Sequence, residues 1–331
     1  MSADAGPVLV TGGAGFIGSH LVDALLAGGH RVRVLDDFST GTRKNLDARA
    51  EVVVGDVADP ALARAAMQGV SGVYHLAAIA SVARGNEDWL GTHRVNLGGT
   101  IAVLESARRP GKAGVPVVYA SSAAVYGDTG DTPASESLPP APRTAYGADK
   151  LGSELHARAG RLVHGVPTLG LRFFNVYGPR QDPSSPYSGV ISIFLRALTR
   201  GQPITLHGDG QQTRDFVYVA DVVAHLRAAM RLLRAEPTAP PLVLNVCTGR
   251  AVAISTLLAI LGRLRGATPE TAYGPARTGD IRHSRGIPDA AAEALGVRAR
   301  VSLEDGLATL VATLGERGAD RTRTHDRVSA F

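Results

Sequence analysis

The sequence predicts an α/β fold: a doubly wound parallel sheet followed by a smaller C-terminal α/β lobe. Three observations predict it. Short β-branched runs alternate with helical stretches from Val8 to about Leu171, the pattern of buried parallel strands joined by helices. A glycine-rich turn stands between the first strand and the first helix. Beyond Asn175 the alternation loosens into helical stretches broken by Gly- and Pro-rich loops, which suits a second lobe closing over the first. With 331 residues, 44% of them hydrophobic, the chain is long enough for a core in each part.

The first strand is Val8–Val10 and the first helix Gly15–Ala27. Strands at Arg31–Leu35, Glu51–Val54, Gly72–Leu76, Pro116–Ala120 and Thr168–Arg172 alternate with helices at Ala61–Gln68, Leu90–Ala107 and Tyr146–His164. In the second part, helices are expected near Val190–Thr199, Val219–Leu233 and Ile254–Gly262. Leu242–Val246 reads as a strand, and the single cysteine, Cys247, follows it as a buried thiol with no partner for an internal disulfide. The expected division is a first domain over 1–174, a second lobe over 175–315 whose segments are free to return to the first, and a tail over 316–331. That last stretch is polar and basic without periodicity.

The formal net charge is +5, but the basic residues are scattered apart from a modest excess between Arg317 and Arg327. Neither a dense basic stripe nor interleaved aromatics appear, so the charge fits an anionic small molecule better than a nucleic acid. No apolar run approaches the roughly 18 residues of a membrane span, and the residues before Val8 lack a secretion signal. A cytoplasmic location is the expectation. Lysine occurs only at Lys44, Lys112 and Lys150, among 35 Lys and Arg residues, which singles out Lys150. The histidines His75, His164 and His225 have no metal-ligand spacing, and no metal site is expected.

Gly12, Gly15 and Gly18 end a strand and open a helix. That is where a glycine fingerprint signals a dinucleotide: one glycine permits the turn, one admits the pyrophosphate, and one lets helix and strand approach. The helix N-terminus then faces the phosphates. This makes the first domain a Rossmann domain. The second strand ends in Asp36-Asp37, where a carboxylate accepts hydrogen bonds from the adenosine ribose and repels a 2′-phosphate, so NAD is favoured over NADP. Arg43 lies too far along to reverse that preference. Asp56-Val57, after the third strand, is read either as the adenine edge or as a capped turn.

Tyr146 and Lys150 stand four apart at a helix start and share a face. An ammonium beside a phenol stabilises the phenolate and lowers its pKa toward working range. Ser122, some two dozen residues upstream at a strand end, completes the set by orienting or relaying the proton of a substrate hydroxyl.

With these pieces the sequence resembles the extended short-chain dehydrogenase/reductase family, and within it the nucleotide-sugar 4-epimerases. The motifs are Thr11-Gly12-Gly13-Ala14-Gly15-Phe16-Ile17-Gly18, His75-Leu76-Ala77-Ala78, Ser121-Ser122-Ala123-Ala124-Val125-Tyr126-Gly127, Tyr146-Gly147-Ala148-Asp149-Lys150 and Arg172-Phe173-Phe174-Asn175-Val176-Tyr177-Gly178-Pro179. The resemblance runs from Val8 to about Gly306. It implies NAD held by Phe16, Ile17, Leu76, Ala77, Ala78 and Asn96 together with the glycines and acids above, with Tyr146 as base, Lys150 on the nicotinamide ribose and Ser122 on the sugar 4-hydroxyl. A hydride leaves C4 and returns to its other face. It also implies a homodimer built on the helices Leu90–Ala107 and Tyr146–His164. Dehydratases and decarboxylases of the family need a further proton carrier after Ser122, where this chain has Ala123 and Ala124. Ala80 departs from relatives that hold a cofactor-binding lysine there.

On the substrate side the resemblance assigns Asn175, Arg214 and Arg277 to a nucleoside diphosphate, Asp280 to its ribose and Val190 to the substrate pocket. The arginine fork suits phosphate oxygens, although pairing of these arginines with Asp215 or Asp280 is the alternative. Ser284 stands where relatives restricted to plain hexoses have a bulky tyrosine, and Pro179–Ile191 is similar to the group that accepts N-acetylhexosamines. The expectation is a UDP-N-acetylglucosamine/UDP-N-acetylgalactosamine 4-epimerase that also accepts UDP-glucose and UDP-galactose. The alternatives are a UDP-glucuronate 4-epimerase drawing on Arg84, Arg180 or Arg282, and an NAD-sensing protein without catalysis.

Overall fold

The computed structural model describes residues 6–181, 189–240, 242–276 and 281–313. The expected tail therefore lies outside the described residues, as do Arg277, Asp280 and positions 182–188.

Six strands follow the expected order: β1 (Val8–Thr11), β2 (Val32–Asp36), β3 (Glu51–Val54), β4 (Gly72–His75), β5 (Val117–Ser122) and β6 (Thr168–Phe173). All are parallel, and their spatial order of 3-2-1-4-5-6 turns back between β1 and β4. Such a switch point opens a crevice at the carboxyl ends of the strands. Among the helices, α1 (Phe16–Ala27) begins at Gly15, and α2 (Pro60–Ala66) is capped by Asp59. The expected helix Leu90–Ala107 is interrupted. After α3 (Val82–Glu87) and α4 (Trp89–His93), a π turn over Arg94–Gly98 leads into α5 (Gly99–Ser106). Asn96 lies in that turn, fully buried, with its side-chain oxygen accepting from Ile79 N at 2.8 Å. The extra residue in the turn turns a polar side chain inward where a regular helix would not.

The helix α6 (Ala145–His164) starts at the Thr144 cap and stops at Gly165, which is left-handed. Past β6 the chain makes β7 (Asn175–Tyr177), α7 (Val190–Arg200), β8 (Ile204–His207), β9 (Thr213–Arg214) and β10 (Phe216–Tyr218). It then re-enters the first core. The helix α8 (Val219–Ala235) packs on α1 and β6, and β11 (Leu242–Val246) pairs with β6, Leu242 opposite Leu169 and Val246 opposite Phe173. The sheet is thus seven-stranded, its outer strand drawn from the second half of the sequence. Leu226, Met230 and Val246 share one apolar cluster with Val10 and Leu21. Pairing β11 with β6 satisfies backbone groups that an open edge would leave to solvent.

A separate core gathers α7, β8 and β10 with β12 (Val252–Ala253), α9 (Ile254–Arg265) and a helix over 303–313, centred on Ile191, Leu257, Leu261 and Leu307. The strand β13 (Thr271–Gly274) pairs with β8, and α10 (Asp289–Leu295) returns to α8 and β11. Cys247 is buried, as its apolar neighbours predict. No helix among the described residues is long and apolar enough to cross a membrane.

Candidate active site

A cleft of about 630 Å³ opens at the switch point. Gly12 has φ +69°, and a Cβ there would stand 2.7 Å from Ala77 N, so β1 and the turn after β4 touch only because the side chain is missing. A Cβ on Gly18 would run into the Gly12 carbonyl, which keeps α1 close to the turn. Gly15, Phe16 and Ile17 line the same cleft, with Leu76, Ala77, Ala78 and Val57 around it. Asn96 lies behind that wall, bonded to the backbone of Ile79.

Asp36 ends β2 in the cleft, 7% exposed, and its two oxygens accept from Ala14 N (2.9 Å) and Phe38 N (2.8 Å). Burial raises its pKa, against the lowering effect of these two donors. The carboxylate thus fixes the glycine turn as well as facing the cleft, leaving a second lone pair on each oxygen for a ribose. Asp37 is exposed and bonded to Ser39. Asp56 makes the capped turn of its second reading: one oxygen accepts from Ala58 N, the other pairs with Arg94 at 2.7 Å, and the residue lines the cleft. Arg43 stacks on Phe38, 5.3 Å from the ring centroid. A shaped glycine cradle with a carboxylate at the end of the second strand fits NAD.

Ser122, Tyr146 and Lys150 meet at the inner end of this cleft. Ser122 ends β5, where its Oγ accepts from Ala124 N at 3.1 Å and starts a 3-10 turn over Ala123–Tyr126. Thr144 caps α6, placing Tyr146 in the first turn and Lys150 one turn later. Lys150 is 4% exposed; its Nζ donates to Ala120 O at 2.9 Å and lies 5.8 Å from the Tyr146 ring centroid. Burial pushes the amine down to about 8, with Asp149 opposing.

The phenol departs from the expectation of a lowered pKa. Burial raises that of Tyr146, while a hydrogen bond with Ser122 pulls the other way. Desolvation of the phenolate outweighs the hydrogen bond with Ser122.

A second cavity of about 220 Å³ shares Ser122, Tyr146 and Asn175 with the first and is lined further by Arg214 and Ser284. Arg214 donates to the carbonyls of Thr213 and Ile281, both at 2.8 Å, and Ser284 N bonds Thr213 O across the cavity wall. Five of the expected catalytic and substrate residues therefore converge. Val190 instead packs in the second core, and Arg277 and Asp280 lie outside the described residues. Asp215, read only as a possible arginine partner, is fully buried and accepts from Thr248 N, Thr248 Oγ1 and Gly249 N. Its place beside Arg214 in Thr213-Arg214-Asp215-Phe216 was the available signal.

The sequence profile of the NAD-dependent epimerase/dehydratase family matches residues 8–247. The chain belongs to this family. Its relatives include a UDP-glucose 4-epimerase of Mycolicibacterium smegmatis, 38% identical over 92% of this chain and 96% of that one. Among solved structures, the UDP-glucose 4-epimerase of Thermotoga maritima with UDP-glucose is 34% identical, with a TM-score of 0.88 over 94% of this chain and 99% of that one. The UDP-N-acetylglucosamine 4-epimerase of Methanobrevibacter ruminantium, in complex with UDP-N-acetylmuramic acid, is 30% identical, with a TM-score of 0.87 over 95% and 99%. Family membership makes the protein NAD-dependent and its seven-stranded sheet a Rossmann scaffold.

Proposed function

We propose that this protein is an NAD-dependent UDP-sugar 4-epimerase that interconverts UDP-N-acetylglucosamine and UDP-N-acetylgalactosamine and also accepts UDP-glucose and UDP-galactose. One observation carries the reading: Ser122 and Tyr146 form the common wall of the dinucleotide cleft and of the smaller cavity that Ser284 lines. A sugar in that cavity has its reacting carbon beside a proton acceptor and faces the cleft. NAD, when bound, supplies a hydride acceptor that later gives the hydride back. Tyr146 takes the proton of the sugar 4-hydroxyl and returns it to the 4-keto oxygen, Ser122 orients that oxygen, and Lys150 holds the cofactor ribose and the positive charge.

Ala123 and Ala124 line the sugar cavity without a proton to exchange, which favours epimerisation over dehydration. A glucuronate substrate is less well served. Arg282 is engaged with Asp209 by two 2.7 Å bonds, Arg180 pairs with Asp23, and Arg84 lines the cofactor cleft. The full set Ser122, Tyr146 and Lys150 speaks for catalysis over mere sensing of NAD. Arg214 and Asn175 are the groups for the diphosphate, with Arg277 and Asp280 proposed on resemblance.

A homodimer is part of the proposal. Leu155, Leu162 and Val163 of α6 are 59%, 67% and 71% exposed at spacings that share one helix face, and Ile101 of α5 is exposed as well. Cys247 as a free buried thiol suits the reducing cytoplasm. The reading is tested by incubating the purified protein, without added NAD, separately with UDP-GlcNAc, UDP-Glc, UDP-GlcA and dTDP-Glc and resolving the products. UDP-GalNAc and UDP-Gal are expected; conversion of UDP-GlcA or dTDP-Glc alone overturns the assignment.

A further inference from the structure

The helix carrying Tyr146 and Lys150 is joined to the strand carrying Ser122 by a buried chain of polar side chains that the proposed reaction does not use. Ser121 precedes Ser122 on β5, so alternation along the strand sends its side chain to the other face. Its Oγ donates to Glu154 Oε1 at 2.5 Å. Glu154 lies one turn beyond Lys150 on α6, and it also receives Arg172 of β6 as a fork, Nε at 2.9 Å and Nη2 at 2.7 Å. Both charged side chains are 6% exposed. The same guanidinium lies 4.7 Å from the ring centroid of Tyr126, the last residue of the turn that Ser122 starts, and Tyr126 OH donates to Asn245 Oδ1 on β11.

Ser122 is thereby held from both sides along the chain, at 121 through Glu154 and at 126 through Arg172. Stability alone explains the arrangement poorly, since a buried ion pair replaced by well-packed apolar residues is often no less stable. What an ion fork does supply is direction, because its two parallel bonds fix one orientation. We infer that Ser121, Glu154 and Arg172 are positioning residues that set the Ser122 hydroxyl against the Tyr146 phenol by locking the end of β5 to α6. The inference rests on the roles proposed above for Ser122 and Tyr146.

A cycle of variants tests it on the NAD-containing enzyme with UDP-GlcNAc: wild type, Ser121→Ala, Ser122→Ala and the double variant, each with kcat, KM and co-purified NAD measured. Ser121→Ala is expected to lower kcat about tenfold, the scale of a small misplacement of a reacting group, with KM and NAD content unchanged. In the Ser122→Ala background it should cost less than about twofold, because its effect passes through Ser122. Ser121→Thr, which keeps the hydroxyl, should restore the rate. Glu154→Gln, where it folds, should repeat the Ser121→Ala pattern. An equal factor for Ser121→Ala in both backgrounds, a wild-type kcat in Ser121→Ala, or a fall in rate matched by lost NAD overturns the coupling. A full rate in Ser122→Ala alone overturns the reading of Ser122 itself, and with it this inference.

Discussion

Replacing Ser284 with Tyr should separate the two substrate classes. The cavity that Ser284 shares with Ser122, Tyr146, Asn175 and Arg214 measures about 220 Å³. A six-membered aromatic ring needs a space of about 150 Å³, so the new side chain would leave about 70 Å³, the liquid share of roughly two waters. Forcing further atoms into a filled site costs about 1–3 kcal/mol, which is about 5- to 150-fold in kcat/KM. An acetamido group has four heavy atoms where the plain hexose has a single hydroxyl oxygen, and the acetylated substrates should carry most of that loss. Competition of UDP-GlcNAc against UDP-Glc for Ser284→Tyr and wild type, followed by chromatography of the four nucleotide sugars, reads the ratio directly. An equal loss on both classes refutes the reasoning that Ser284 leaves room for the acetyl group.

Tyr146→Phe should lower kcat by about 10²- to 10⁴-fold while co-purified NAD stays at the wild-type level, because it removes the oxygen proposed to accept the proton and the ring keeps its packing; turnover near wild type would remove Tyr146 from that role. Lys150 predicts a pH dependence of stability. Its amine falls from 10.5 to about 8 in the fold, so the folded state binds fewer protons between those values and stability rises with pH there. In the nucleotide-stripped protein, urea unfolding at pH 7.5 and 9.5 should show a gain of about 2 kcal/mol that Lys150→Met abolishes. An equal slope in both proteins contradicts it. Leu162→Glu, on the exposed face of α6, should yield a monomer by sedimentation or light scattering where the wild type is a dimer; an unchanged mass moves the interface elsewhere.

The parts of this molecule that were legible in the sequence are those encoded locally. Gly12 and Gly18 announce their turn because a Cβ at either would run into backbone, and Tyr146 and Lys150 announce theirs because one helical turn separates them. What stayed hidden depends on partners far away in the chain. The edge position of β11 follows from pairing with β6, some seventy residues earlier, and nothing in Leu242–Val246 states which sheet it joins. The π turn at Asn96 requires knowledge of Ile79. Glu154 and Arg172 look like ordinary helix and strand charges until the fold brings them together. The lowered phenol pKa failed for a related reason: spacing places the ammonium on the right face, but the burial of Tyr146, which raises it, comes from the packing of the whole fold.

In the proposed reaction the hydride leaves the sugar and comes back to the same carbon. UDP-N-acetylglucosamine deuterated at C4 of the sugar, incubated with the purified protein in ordinary water without added NAD, tests it by NMR of the product. The expected product is UDP-N-acetylgalactosamine with the deuterium still at C4 and no accumulation of NADH. Loss of the label to solvent, or a stoichiometric build-up of NADH with an oxidised sugar, would contradict it.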